Sequence, residues 1–205
     1  MKKPSAAPAV TDRHPSPERP RVPERPQAAE RPQAPDERAA PGHPSAADWE
    51  IAPVAPDHPD AVAVLHRYYA DIVSRYHGRT ATEEETGAAV AEDARDGLVP
   101  PTGVLLLARC GGVTVGSVGV RLLTPDTAEL TRVFVLAEAR RRGGGARLLA
   151  AAERAARGLG ATAVRLDTRH DLVEARGLYA RHGYAEIPAY NDGPYADHWF
   201  EKALV

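Results

Sequence analysis

The sequence predicts an α/β domain of seven strands and four helices in the order β, α, α, β, β, β, α, β, α, β, β, spanning residues 49–205 of a 205-residue chain. Three observations predict it. Composition changes abruptly at Trp49, the apolar period changes from three and four residues to two at Gly103, and a run of three glycines joins a β-rich segment to a helical one at residues 143–145.

Charged residues make up 26% and hydrophobic residues 43% of the chain, and 26 Lys and Arg against 28 Asp and Glu leave a net charge of −2. This is the balance of an ordinary soluble protein, with no basic face for nucleic acid and no acidic tail. One cysteine, Cys110, excludes an intramolecular disulfide framework and any multi-cysteine zinc site. Purely apolar runs such as Val104 to Ala108 are far short of the roughly 20 residues that span a bilayer. Lys2 and Lys3 lead into proline rather than an apolar stretch, so no secretory signal is expected. The expectation is a cytoplasmic protein, monomer or homodimer, that engages neither nucleic acid nor membrane.

Residues 1–48 hold 11 of the 19 prolines and no Leu, Ile, Phe, Tyr or Trp, so they cannot bury enough apolar surface to offset the entropy of ordering. They are expected to be a disordered Pro/Ala/Glu/Arg-rich N-terminal tail. Glu-Arg-Pro recurs at 18–20, 24–26 and 30–32, a period that favours an extended chain serving either as a solvated spacer or as a partner-docking segment.

Trp49 to Val54 reads as the first strand. From Pro56 and Asp57 to Tyr76, the residues Ala61, Leu65, Tyr68, Tyr69, Ile72 and Tyr76 make a helical stripe. Thr80 and Glu83 form a capping box for a second helix running to about Asp96. Val104 to Cys110 and Val113 to Leu123 are strands joined by Gly111 and Gly112, which suit the positive φ angles of a tight hairpin, and a turn at 124–127 leads to a third meander strand, Ala128 to Leu136. Ala146 to Arg157 is a helix with Leu148, Leu149, Ala152 and Ala156 inward and Gly158 and Gly160 at its end. Ala163 to Thr168 is a strand, Leu172 to His182 a helix ended by Gly183, and Tyr184 to Ala189 and Trp199 to Leu204 the last two strands.

The sharpest local signal is Arg140-Arg141-Arg142-Gly143-Gly144-Gly145-Ala146, after a strand and before a helix. Glycines there let backbone N–H groups turn toward an anion at the positive end of the helix dipole, and three arginines at that end oppose the dipole unless an anion is bound. The pattern is that of a pyrophosphate cradle; the bland alternative is a glycine-rich turn with solvated arginines. A Walker loop would need Gly-Lys-Ser or Gly-Lys-Thr, which is absent. A dinucleotide fingerprint would need glycine at Leu148 and a parallel sheet, although Asp167 at the end of the next strand imitates its ribose-binding acid.

These residues resemble the GCN5-related N-acetyltransferase (GNAT) superfamily. Its acetyl-CoA loop, Arg/Gln-x-x-Gly-x-Gly/Ala, is matched by Arg140, Gly143 and Gly145, and its C-terminal signature, Ala-x-x-Leu-Tyr-x-x-x-Gly-Phe/Tyr, by Ala175, Leu178, Tyr179, Gly183 and Tyr184. Leu172 departs from it where many members carry asparagine at the helix start. The resemblance covers residues 49–205 and implies the GNAT fold, a mixed and mostly antiparallel seven-stranded sheet whose fourth and fifth strands splay apart. It further implies direct acetyl transfer from acetyl-CoA to a primary amine, with no metal. Backbone groups of Val133, Phe134 and Val135 would pair with the pantetheine arm and hold the acetyl carbonyl. The segment Arg140, Arg141, Arg142, Gly143, Gly144, Gly145 and Ala146 would hold the diphosphate.

By the same resemblance Tyr179 is the general acid, since a phenol with an ordinary pKa near 10 stays protonated at neutral pH and can donate to the departing thiolate. Its alternative is a core aromatic beside Leu178. Glu129, on the face of the fourth strand that carries Thr131 and Val133, is a candidate general base or a cross-strand partner of Arg121. Asp197 and His198 lie in the loop before the last strand, which borders the acceptor pocket in this fold, and are candidate substrate contacts, with a solvated turn around Gly193 and Pro194 as the alternative. Cys110 reads as a small buried or edge residue, and no metal-binding spacing occurs. A small amine, an amino acid, an amine-bearing antibiotic or a protein amine are all open as acceptor, and Glu129, Asp197 and the run Glu83-Glu84-Glu85 favour a cationic one. A non-catalytic acetyl-CoA sensor, or an adaptor recruiting through the proline-rich tail, is the competing reading.

Overall fold

The computed structural model describes residues 49–92 and 97–204. The tail expected over residues 1–48 and the final turn expected of the second helix lie outside the described residues. The elements are β1 (Trp49–Val54), α1 (Pro59–His77), α2 (Glu83–Glu92), β2 (Gly103–Cys110), β3 (Val113–Thr124), β4 (Thr127–Val135), α3 (Gly144–Gly158), β5 (Ala163–Thr168), α4 (Val173–Arg181), β6 (Ala185–Ile187) and β7 (His198–Ala203), with a 3₁₀ turn at Ala137–Ala139. The order matches the one expected, and the seven strands form a single sheet, β1-β2-β3-β4-β5-β7-β6.

Local chemistry explains the boundaries that differ. The first helix begins at Pro59 rather than Pro56 because His58 N–H closes a turn onto the Ala55 carbonyl at 3.0 Å, and His58 Nδ1 then accepts the Asp60 N–H at 3.1 Å. The capping box of α2 is formed by Thr82 and Glu85, not Thr80 and Glu83. Thr82 Oγ1 accepts the Glu85 N–H at 3.2 Å and Glu85 accepts the Thr82 N–H at 2.8 Å. Two observations explain the shift: the Arg79 guanidinium forks onto both Glu85 oxygens at 2.9 and 2.5 Å, and Ser74 Oγ holds the Ala81 N–H at 2.9 Å. The sixth strand stops at Ile187 because Pro188 has no N–H to continue the ladder.

β1 through β4 form an antiparallel meander. Gly111 and Gly112, at φ 58° and 81°, make its first tight turn. Two apolar layers cover the sheet. On one face Leu148, Leu149 and Ala152 of α3 and Tyr179 of α4 pack on Val118, Leu130, Leu166 and Phe200. On the other, Ala61, Val64 and Leu65 of α1 pack on Leu105, Leu107 and Phe134.

The feature that makes a site is where the sheet opens. β4 and β5 pair in parallel only from Thr127, Ala128 and Glu129 to Ala163, Val164 and Arg165. Beyond that point β5 stays with β7 while β4 follows β3. A bulge in β4 sets the divergence: Ser117 pairs with Phe134 and Gly119 with Thr131, so β4 spends an extra residue there, and Arg132 takes φ 51°. Ser117 Oγ, fully buried, donates to the Arg132 carbonyl at 3.1 Å and holds the kink. A bulge bends its strand and increases local twist, which turns the end of β4 away from β5.

Candidate functional site

Beyond Glu129, the edge of β4 that faces β5 has no strand to pair with. Val133 and Val135 are half-buried there, and Phe134 is buried against Tyr68 with ring centroids 5.7 Å apart. The unpaired main-chain groups of this edge line the opening.

The chain then passes through the 3₁₀ turn into the glycine loop. Arg141 at φ 62° and Gly143 at φ 80° are both left-handed, and the coil they make delivers the chain to α3 at Gly144. Gly144 backs onto the Trp49 indole and Gly145 onto Leu178, with no room for a Cβ at either. Side-chain-free contact thus lets α3 approach β1 and α4 closely, while the first-turn amides, which have no intrahelical acceptor, remain the donors at this end. Arg147 N–H donates to the Gly143 carbonyl at 3.2 Å and starts the helical ladder.

The three arginines separate. Arg140 turns back into the fold: its Nε donates to the Val135 carbonyl at 2.9 Å, a terminal nitrogen meets Asp71 of α1 at 3.1 Å, and the guanidinium lies 5.8 Å from the Phe134 ring centre. It clamps the end of β4 to the start of the loop. Arg141 and Arg142 are exposed. The dipole conflict anticipated for three cations therefore involves two.

Tyr179 is buried in α4 between Tyr184 and Phe200, with ring centroids 5.9 and 5.8 Å away. Among the described residues nothing hydrogen-bonds its hydroxyl, whose proton is thus uncommitted. Burial above all, and then the neighbouring Tyr68 and Asp167, push its pKa well above the ordinary phenol value. The group is a neutral donor at any physiological pH.

Glu129 is 4% exposed and lies directly across from Arg121 on β3. Its Oε2 takes Arg121 Nε at 2.8 Å and a second guanidinium nitrogen at 2.6 Å, and its Oε1 accepts the Tyr190 hydroxyl at 3.0 Å. Both oxygens are engaged.

The next strand carries a second carboxylate at the same opening. Asp167, on β5 just past the last β4–β5 pair, is half-buried, and Asn191 Nδ2 donates to its Oδ2 at 2.7 Å. The amide of Asn191 is itself oriented by the Trp199 indole N–H, which donates to Asn191 Oδ1 at 2.7 Å. Asp167 Oδ1 accepts no hydrogen bond from the described residues and is not sealed from solvent. Burial raises the Asp167 pKa and the charge of Glu129 adds to this, against the Asn191 hydrogen bond and Arg121. The sequence carries no signal for Tyr190, Asn191 and Trp199, and marks Asp167 only by its place at a strand end.

Asp197 and His198 are committed elsewhere. Asp197 accepts both the main-chain N–H and the ring Nδ1 of His170 at 2.9 Å, contacts that hold its carboxyl below the usual range, and its own N–H binds the Thr168 carbonyl at 3.0 Å. His198 opens β7 and its Nδ1 meets Glu186 of β6 at 2.6 Å. Cys110 is buried at the β2 end beside the hairpin turn.

Among the described residues no group of His, Cys, Asp and Glu could hold a metal ion, and no helix is long and apolar enough to cross a membrane. A hollow of about 390 Å³ beside the β2–β3 turn, lined by Asp60, Arg67 and Leu136, and one of about 320 Å³ between Val54 and Leu98 include none of the residues above.

The acetyltransferase (GNAT) family model matches residues 65–184. Comparison with curated proteins gave no match. Among solved structures, a Klebsiella pneumoniae protein assigned as an acyl-CoA N-acyltransferase is 25% identical, with a TM-score of 0.60 over 78% of this chain and 99% of that one. PaiA N-acetyltransferase from Thermoplasma acidophilum, solved with coenzyme A, is 20% identical, with a TM-score of 0.60 over 76% and 98%. A GNAT acetyltransferase from Elizabethkingia anophelis, solved with acetyl-CoA, is 16% identical, with a TM-score of 0.53 over 77% and 99%.

Proposed function

Because the chain belongs to the acetyltransferase (GNAT) family, we propose that it transfers an acetyl group from acetyl-CoA directly to a primary amine. The observation that carries the reading is the opening between β4 and β5, with an unpaired strand edge on one side and the uncommitted Tyr179 hydroxyl on the helix after the other. Structural relatives that hold coenzyme A and acetyl-CoA support it.

The residues fit the cosubstrate in three places. First-turn amides of Gly144, Gly145 and Ala146, with Gly143 before them and Arg141 and Arg142 beside them, suit a diphosphate. Arg140 acts by bracing this loop. The edge at Val133, Phe134 and Val135, of which only the Val135 carbonyl is taken by Arg140, suits an extended pantetheine amide chain, and an N–H from it would polarise the thioester carbonyl, so the charge that develops on oxygen meets a fixed donor. Tyr179, kept neutral by burial, gives its proton to the thiolate as the carbon–sulfur bond breaks. In this scheme Asp197 and His198 shape the rim of the acceptor side by fixing the loop on β5 and β6, and Glu129 with Arg121 and Tyr190 forms its floor.

The test is a screen of amines with acetyl-CoA, read by the appearance of free thiol, beside calorimetry with coenzyme A. Transfer to one or more amines with coenzyme A affinity in the micromolar range is expected. Coenzyme A binding with no transfer to any amine and no slow hydrolysis would move the reading to an acetyl-CoA sensor.

A further inference from the structure

Of the two carboxylates at the β4–β5 opening, Glu129 buried and Asp167 half-buried, one is already spent. Glu129 has both oxygens bound, by Arg121 and Tyr190. Asp167 has one oxygen pinned by Asn191 and the other unclaimed. We propose that Asp167 is the residue that receives the acceptor, taking its ammonium as an ion pair at Oδ1 and removing the proton that must leave before nitrogen can attack. The proposal rests on the acetyltransferase reading and names the group that completes it.

Two features of the geometry support the assignment. Asp167 is on the strand that leaves β4, one step past Leu166 and two past the last paired residue, Arg165, so it stands where the two strands first part. Its orientation is fixed by a relay from β7: Trp199 indole to Asn191 Oδ1, then Asn191 Nδ2 to Asp167 Oδ2, both at 2.7 Å. A carboxylate held by a hydrogen bond at one oxygen presents the other in a defined direction, as a proton acceptor at an active site must. Its charge also contributes, after burial and Tyr68, to raising the Tyr179 hydroxyl.

The charged and titratable groups around it favour the role. Glu129 on β4 raises the Asp167 carboxyl, its ion-pair partner Arg121 on β3 lowers it, and Tyr190 and Tyr179 remain neutral. Burial, assisted by Glu129, raises the carboxyl above its ordinary value, which strengthens it as a proton acceptor. With Glu129 and Arg121 paired, the Asp167 carboxylate is the unbalanced charge at the opening and favours a cationic acceptor.

The proton account closes. The ammonium gives one proton to Asp167 Oδ1 and becomes a neutral amine. Its lone pair forms the new carbon–nitrogen bond while the carbon–sulfur bond breaks and its electron pair stays on sulfur, where the Tyr179 proton is received. The second proton shed by the nitrogen restores the phenol through solvent, and Asp167 passes its own to water. One amide, one thiol and one hydronium ion result.

The experiment uses the full chain and measures kcat and kcat/KM against pH for the best acceptor among ethylenediamine, agmatine, histamine and lysine amide, with acetyl-CoA affinity measured separately. In Asp167→Asn, kcat should fall by about 10²- to 10⁴-fold, the loss of a general base, with acetyl-CoA affinity within about twofold, and the acid limb of the wild-type kcat/KM profile should vanish. Asp167→Glu should recover part of the rate. Asn191→Ala, which deletes the donor that opposes protonation, should move the acid limb to higher pH. Glu129→Gln should leave the limb present. A retained acid limb and rate in Asp167→Asn, or loss of the limb in Glu129→Gln, would overturn the assignment. A wild-type chain that binds acetyl-CoA and acetylates none of the four amines would instead count against the acetyltransferase reading, and with it this assignment.

Discussion

Arg140 and Asp71 are joined at 3.1 Å across the gap between the glycine loop and α1, with both side chains about one-third exposed. The first of three loop arginines is thereby a strut, and it also holds the Val135 carbonyl at 2.9 Å, at the end of the strand edge assigned to the cosubstrate. Loop geometry and strand edge are coupled through one guanidinium.

That coupling predicts a specific pattern of variants. Arg140→Gln and Asp71→Asn should each lower coenzyme A affinity by a similar factor, about three- to tenfold, and the double variant should be no worse than either alone. Were Arg140 a direct diphosphate ligand, freeing it in Asp71→Asn would leave affinity unchanged or improve it. Calorimetry on the three variants separates the two.

Gly144 faces the Trp49 indole closely enough that a Cβ has no place. Gly144→Ala should destabilise by about 1–3 kcal/mol, the usual cost of overpacking. Trp49→Leu in the same chain should return part of that loss, because the steric conflict is between these two residues. Thermal melts of the single and double variants check it.

The first turn of α2 offers a test confined to stability. Thr82→Ala should cost about 1 kcal/mol as a lost N-cap, whereas Thr80→Ala should be near neutral. Its partner Glu85 is held at a pKa of about 2, first by Arg79 and then by the Thr82 amide. A depressed carboxyl stabilises fully above its unfolded pKa, so this contribution should be intact above about pH 4.5 and fade as pH falls toward 2. Carboxyl NMR titration of Glu85 reports the midpoint directly.

These cases mark how far the fold is legible in the sequence. The bounds of strands β1 and β5 are legible to the residue, because period-two apolar runs flanked by Pro, Gly and Asp leave little freedom. The capping box forms two residues later than expected because Thr80-Ala81-Thr82-Glu83-Glu84-Glu85 contains the motif twice, and the choice rests on Arg79 and Ser74 contacts that propensity does not encode. Glu129 and Arg121 were legible as cross-strand partners, being eight residues apart around a short turn. The Asp167, Asn191 and Trp199 relay was not, since it joins residues 24 positions apart through a loop with no periodicity. The left-handed Arg132 that opens the sheet has no sequence signal, because arginine is not a residue that marks positive φ.

Tyr179 carries the sharpest remaining expectation. Its hydroxyl has no partner among the described residues, so Tyr179→Phe removes an oxygen that stabilises nothing in the resting fold, and the melting temperature should stay level or rise slightly. If the hydroxyl protonates the leaving thiolate, kcat should fall by about 10- to 1000-fold while coenzyme A affinity changes little, since the interaction exists mainly in the transition state. The pH profile adds a second constraint. Burial raises this phenol above its usual pKa of 10.0, so a basic limb due to Tyr179 must lie above pH 10, and a limb at lower pH belongs to another group. The linkage has the matching sign: a phenol raised on folding stabilises fully below its unfolded pKa, and that contribution is lost only as pH climbs past it. Steady-state kinetics from pH 6 to pH 10 on the wild type and Tyr179→Phe, with melts on both, decide the matter. An unchanged kcat would return Tyr179 to the core between Tyr184 and Phe200, and a loss confined to coenzyme A affinity would make it a cosubstrate contact.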